Sequence, residues 1–199
     1  MTDFRGLQNF IRLPTDSVFR KAITNSFIIM IFSLVVQLPF ALMLALIVAR
    51  KEFPLAVLFR TLFFLPYVMS EIVTGVVWQF IYHPQYGLVN FFIQLVNPGA
   101  ERVALLSSPD TVLWGVLIVI LWKYFGLHMT IYIAGLQGIP KELYDAAHMD
   151  GASDGQVIRH IVLPLLKPII MVSVFFCIIG SLQVFDIIWA MAWLVSSSI

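Results

Sequence analysis

Three ionisable residues stand inside long apolar stretches of this chain: Glu71, Lys123 and Asp186. A charge within a hydrocarbon layer is costly, so each calls for a partner or a water-filled path. Two readings are open. In one, the three line a route for a polar solute, and Trp122, Tyr124 and Trp189 stack on its ring faces. In the other, they pair with one another or reach out from a helix end, and the aromatic residues are packing groups. A second set, His148 and His160 with Asp145, Asp150 and Asp154, has metal-ligating side chains. The run from Asp150 to Gly155 is superficially like a calcium loop, but Ala152 takes a ligand position and Ile161 stands where a closing Glu belongs. His128 has no metal-spaced companion, so no metal or other cofactor is expected. No GxxxxGK[ST] phosphate loop is present, so this chain is not expected to bind ATP itself. The single cysteine, Cys177, excludes an internal disulfide and reads as a small buried hydrophobe.

The elements that hold these residues follow from composition. The chain is 60% hydrophobic and only 12% charged, with a mean hydropathy of +0.94. That charge is too sparse to coat a water-soluble domain. The apolar runs are continuous and about 20 residues or longer, which fits membrane-crossing helices. Inside a bilayer the backbone must satisfy itself, and continuous rather than alternating apolar runs select helices over a barrel. Four transmembrane helices are expected, at 22–49, 59–82, 112–136 and 168–195, with a kink at Pro39 in the first. The expected fold class is an all-α, polytopic membrane bundle. Between the second and third spans, Val89 to Val96 reads as a short helix at the membrane interface. The net charge of +1 gives no sign of a nucleic-acid partner.

The segment 137–167 has more design than a connector requires. Pro140 suits a first helical turn and Glu142 suits the positive helix N-terminus. Leu143, Ala146 and Ala147 recur at helical spacing and form one small apolar face, where another backbone can approach closely. Gly151 is expected to end that helix in a left-handed conformation. Ser153 and Gln156 read as a capping box opening a second short helix, with Ile158, Ile161 and Val162 as its apolar side. Pro164 is expected to end that helix and Pro168 to open the last span. The side with Arg50, Lys51, Arg60, Lys141, Arg159 and Lys167 is slightly more basic than the side with Arg5, Arg12, Arg20, Lys21 and Arg102. The positive-inside rule thus places the loop on the cytoplasmic face by a narrow margin.

Asp145-Ala146-Ala147, then Gly151, then Ile161 and Leu163-Pro164 resemble the EAA motif of ABC importer membrane subunits. The spacing matches throughout, and Asp145 replaces the usual Glu. The flanks at 135–143, 150–153 and 163–168 are similar to the carbohydrate-type branch. So are Gly6-Leu7-Gln8-Asn9-Phe10, Tyr86-Gly87-Leu88-Val89-Asn90 and Phe185-Asp186-Ile187-Ile188-Trp189. The resemblance implies a binding-protein-dependent sugar permease subunit, multi-pass in the plasma membrane of a prokaryote and not an enzyme, whose loop is cytoplasmic and seats in a cleft of a separate ATPase. Its coupling residues would be Glu142, Asp145, Ala146, Ala147, Asp150, Gly151, Ile161, Leu163 and Pro164. Residues 1–21 and 83–111 would lie outside. The implied partners are two cytoplasmic ATPase subunits, a second permease subunit, an extracytoplasmic solute-binding protein and the lipid bilayer.

The family has about six spans where four are expected here, and its segment before Gly6 and its Thr-Gly-Gly-Pro-like turn after Trp189 have no counterpart. A single truncated transmembrane domain over 1–199 is therefore expected. The alternatives are a non-transporting membrane fragment or scaffold, and a permease for a solute other than sugar.

Overall fold

The computed structural model describes residues 12–49, 55–108 and 111–197, with side chains placed as far as Met191. The Gly6 to Phe10 segment and the basic stretch from Arg50 to Glu52 lie outside the described residues.

Asp16 starts the first long helix, α1 (Ser17–Val48), by accepting hydrogen bonds from the amides of Val18 and Phe19. The helix does not break at Pro39. Its turn from Ser33 to Gln37 is wound as a π-helix, and the Leu38 amide reaches back five residues to Ser33. The wider turn makes room for the proline ring just before it arrives, and the missing N–H costs little there.

The stretch expected as one span at 59–82 is two helices, α2 (Ala56–Val68) and α3 (Glu71–Ile81), meeting at 102°. Pro66 lies in the last turn of α2, and Ser70 caps α3 by accepting from the Val73 amide. A helix stop followed two residues later by a capped helix start explains the elbow. A short helix, α4 (Leu88–Val96), follows, and then the long α5 (Val112–Gln137), which covers the third expected span.

The helix α6 (Lys141–Met149) is joined by a four-residue turn to α7 (Asp154–Leu182). Here the expectation that Pro164 ends a helix and Pro168 opens another is corrected: α7 runs through both. A second π turn, Ile158–Val162, precedes Leu163-Pro164 as the first precedes Leu38-Pro39. The last expected span, 168–195, also differs. Helix α7 stops at Leu182 and α8 (Phe185–Ser197) starts afresh. Among the described residues three helices are long and apolar enough to cross a membrane, or four if α2 and α3 form one broken span.

Helix α5 is the hub. It packs against α1, α2 and α7, while α3 packs against α8. In lipid, helices associate through close backbone approach rather than through a hydrophobic drive, so glycines mark the contacts. A Cβ at Gly126 of α5 would fall on the carbonyl oxygen of Phe63 in α2. A Cβ at Gly75 of α3 would lie 2.5 Å from the Ala190 Cβ of α8. One core joins α1, α5, α6 and α7 through Ala41, Ala45, Met129, Tyr132, Ala147 and Leu166. Another joins α1, α3, α5 and α8 around Ile29, Tyr82, Ile120 and Ile187.

Candidate functional site

Two sites emerge, one at the elbow between α2 and α3 and one on the loop between α5 and α7. The elbow leaves backbone carbonyls of α2 without helical partners, and α5 supplies a donor. Lys123, 1% exposed, donates to the Met69 carbonyl oxygen and to the Thr74 hydroxyl. Its ammonium lies 3.9 Å from Glu71 Oε1, which also accepts the Tyr124 hydroxyl at 2.8 Å. The pair is asymmetric, because the Glu71 side chain is 37% exposed while the lysine is enclosed. Asp186 is exposed in the first turn of α8, where the helix N-terminus favours a carboxylate, and it is within electrostatic reach of Tyr124. The Tyr67 ring stands 6.3 Å from that of Tyr124.

The structure therefore brings the three intramembrane charges to one neighbourhood. Lys123 and Glu71 face each other, as the pairing reading expects. Asp186 still presents its carboxylate to open space, whereas Glu71 Oε2 is buried without a hydrogen-bond partner and Oε1 is engaged by Tyr124 and Lys123. Of the aromatic candidates, Trp122 packs edge-on against Trp78 at 5.4 Å, a packing role, while Tyr124 joins the polar cluster. Thr74, fully buried beside the lysine, was not singled out from the sequence. A threonine four residues after a capping serine carries no signal until α5 is laid across it.

On the loop, Gly151 adopts a φ of 79°, the left-handed conformation expected of it. The Ala152 amide bonds to the Ala147 carbonyl and the Gly151 amide to that of His148. This paired pattern terminates a helix around a left-handed residue. The Gln156 side chain then accepts from both the amide and the hydroxyl of Ser153, fixing the start of α7. The junction of the two helices is thus held by local hydrogen bonds, backbone and side-chain, confined to about ten residues, Ala147 to Gln156.

The expected single apolar face of α6 is corrected. Ala147 turns inward and packs in the same core as Val157, Val162 and Leu166. Tyr144 packs beside that core, and burial pushes its phenol above the ordinary tyrosine range. Leu143, Ala146 and Met149 point outward instead, with Met149 88% exposed. Around them stand Glu142, Asp145 and Asp150, all exposed. Asp145 lies 3.7 Å from Lys141, a surface ion pair worth little in water. Beside the glycine a depression of about 320 Å³ is lined by Asp150, Gly151, Gln156, His160 and Ile161. Leu163 is half-buried and Pro164 exposed at the next turn of α7. The loop thus offers an apolar ridge rimmed by carboxylates, next to a small hollow.

Residues 37–192 match the family described as the binding-protein-dependent transport system inner membrane component. A probable ABC transporter permease protein of Bacillus subtilis, YurN, is 36% identical over 92% of this chain and 63% of its own length. The lactose transport system permease protein LacF of Rhizobium radiobacter is 31% identical over 94% of this chain and 62% of its own. The trehalose/maltose transport system permease protein MalF of Thermococcus litoralis is 32% identical, with 94% and 63% covered. This chain therefore spans somewhat less than two thirds of the length of these relatives. A chain in the crystal structure of a bacterial alginate ABC transporter, in complex with an alginate pentasaccharide-bound periplasmic protein, superposes with a TM-score of 0.82. It is 25% identical, and the match covers 94% of this chain and 68% of that one. The overall helical arrangement is thus that of a solved importer chain, and this chain belongs to the inner-membrane-component family of binding-protein-dependent transport systems.

Proposed function

We propose that this chain is a permease subunit of an ATP-driven importer for carbohydrates. The observation that carries the reading is the loop between α5 and α7. Its helices are locked at Gly151 and present Leu143, Ala146 and Met149 to a partner. An apolar ridge of that kind, on a chain whose sequence holds no phosphate loop, fits a cleft in a separate ATPase subunit. Glu142, Asp145 and Asp150 steer the cleft, and Gly151 with Ile161, Leu163 and Pro164 sets the angle between the loop and α7.

Because α7 continues unbroken from the loop to Leu182, movement of the loop is delivered directly into the membrane. A second permease subunit completes the path, and a solute-binding protein brings the sugar to the opposite face. Lactose, trehalose/maltose and arabinooligosaccharides, named for similar proteins, support a carbohydrate cargo. Glu71, Asp186 and Lys123 belong to the translocation path in this reading. The exposed Asp186 carboxylate accepts from sugar hydroxyls, while Glu71 and the enclosed Lys123 hold the elbow.

The test uses disulfide trapping in a Cys177→Ser background. A cysteine at Ala146, which faces outward, is paired with one in the ATPase cleft. The expected result is a crosslink whose yield changes with ATP. Absence of any crosslink in assembled membranes refutes the coupling role and leaves a non-transporting scaffold.

A further inference from the structure

We infer that α4 is an interfacial anchor whose apolar face lies in the lipid headgroup boundary at the end of the bundle where α3 and α5 meet. Its outer face is Leu88, Phe91, Phe92, Leu95 and Val96, all between 55% and 87% exposed. The spacing of three, one, three and one places them on a single helical stripe. No Asp, Glu, Lys or Arg occurs from Pro84 to Ala100.

The stripe is held outward by its opposite face. The Asn90 side chain, 2% exposed, accepts from the Val103 amide at 2.8 Å and donates to the Val103 carbonyl at 2.9 Å. Val89 packs on the core that contains Tyr82 and Leu117. Helices lying on a membrane ordinarily carry a charged face for water. Here that face is replaced by contacts with the chain itself, so the remaining apolar face needs no charge beside it.

The level of α4 is set by its neighbours. The Tyr82 hydroxyl donates to the Gly115 carbonyl at 3.1 Å, which ties the end of α3 to the start of α5. Helix α4 begins six residues after Tyr82 and packs against α3. Around this junction Tyr86, stacked on His83 at 3.5 Å, and Trp114 are both more than 60% exposed. Exposed Tyr and Trp at span ends mark a membrane–water boundary. Ile118, one turn further along α5 from Trp114, continues the exposed apolar surface into the span. The stripe on α4 thus shares its chemistry with the exposed aromatic and apolar residues at this end of α3 and α5, and the lipid boundary is its occupant.

The test places a nitroxide on the full chain in liposomes of phosphatidylethanolamine and phosphatidylglycerol, again with Cys177→Ser. Labels at Phe92→Cys and Leu95→Cys are compared with one at Glu101→Cys, which lies in the polar segment beyond α4. Collision with lipid-soluble oxygen is expected to exceed collision with a water-soluble nickel chelate severalfold more at Phe92 and Leu95 than at Glu101. Equal nickel access at all three positions overturns the proposal by placing the stripe in water. Exclusion of both reagents from Phe92 and Leu95 also overturns it, by showing a protein partner on the stripe. Should the labelled chains misassemble, hydroxyl-radical footprinting of the unmodified chain in the same liposomes decides. Phe91 and Phe92 are expected to be as protected as Phe175, an outward residue of α7. Strong modification of the two overturns the assignment.

Discussion

Lys123 donates a hydrogen bond to the carbonyl oxygen of Met69, the residue that closes α2 at the elbow. A lysine from one membrane helix thus completes the broken end of another. The bond supplies a partner for a carbonyl that the 102° bend has stripped of its helical one. The ammonium is in turn neutralised by Glu71, the first residue of the next helix.

Replacing Lys123 with Met should lower the thermal stability of the detergent-solubilised chain by about 1–3 kcal/mol, the cost of an unmade buried hydrogen bond. Lys123→Arg should lose less, because a cation and a donor remain. Glu71→Gln should cost less than Lys123→Met, because the amide oxygen can still accept from Tyr124 and the side chain is partly exposed. Scanning fluorimetry of the three variants checks the order, and equal melting temperatures would remove the elbow from any structural role.

Gly126→Leu should destabilise the bundle by roughly 1–3 kcal/mol through overpacking, since α2 must move off α5. Gly126→Ala should already be felt, because even a Cβ meets the Phe63 backbone rather than a yielding side chain. Gly180→Ala is the control, with nothing within 4 Å of its Cβ position. Urea or heat unfolding of these variants in one detergent gives the comparison. A melting temperature for Gly126→Ala no lower than that of the control would contradict the close α2–α5 contact.

Gly151→Ala should cost about 1–2 kcal/mol, the penalty of a left-handed conformation with a side chain. Gly151→Asn should cost less, as asparagine tolerates that region. The space around the glycine is open, so strain rather than collision sets the cost. Limited proteolysis of the loop should rise in the order wild type, Asn, Ala. The reverse order would mean that the hinge tolerates other geometries.

Ala146→Asp and Ala147→Asp should separate two functions that adjacent alanines hide. Ala147→Asp buries a charge in the core shared with Val162 and Leu166, so the loop should lose its fold. Ala146→Asp should leave the fold intact and weaken association with the proposed ATPase partner by tenfold or more, roughly the loss of one good apolar contact (about 1.4 kcal/mol). Melting temperature and co-purification read the two effects apart. Loss of stability in Ala146→Asp would show that this residue also faces inward.

The sequence by itself determined the helical class, because continuous apolar runs leave the backbone no other way to satisfy itself in lipid. It also determined the turn at Gly151 and the capping at Ser153, since both depend on side chains only a few residues apart. The elbow had a local signal, Pro66 followed by the Ser70-Glu71 helix start, that the long apolar run around it outweighed. The two π turns had none beyond the prolines that follow them, because a proline states only that a bond is missing and not how the helix accommodates it. Only the tertiary structure decided which alanine of the loop faces inward, that Lys123 meets Met69 and Glu71, and that Asp186 stands near Tyr124. Those facts depend on how α5 crosses α2 and how α8 crosses α3. Residues 54 positions apart meet at a crossing angle that no local pattern encodes, and backbone contacts at Gly126 and Gly75 select it.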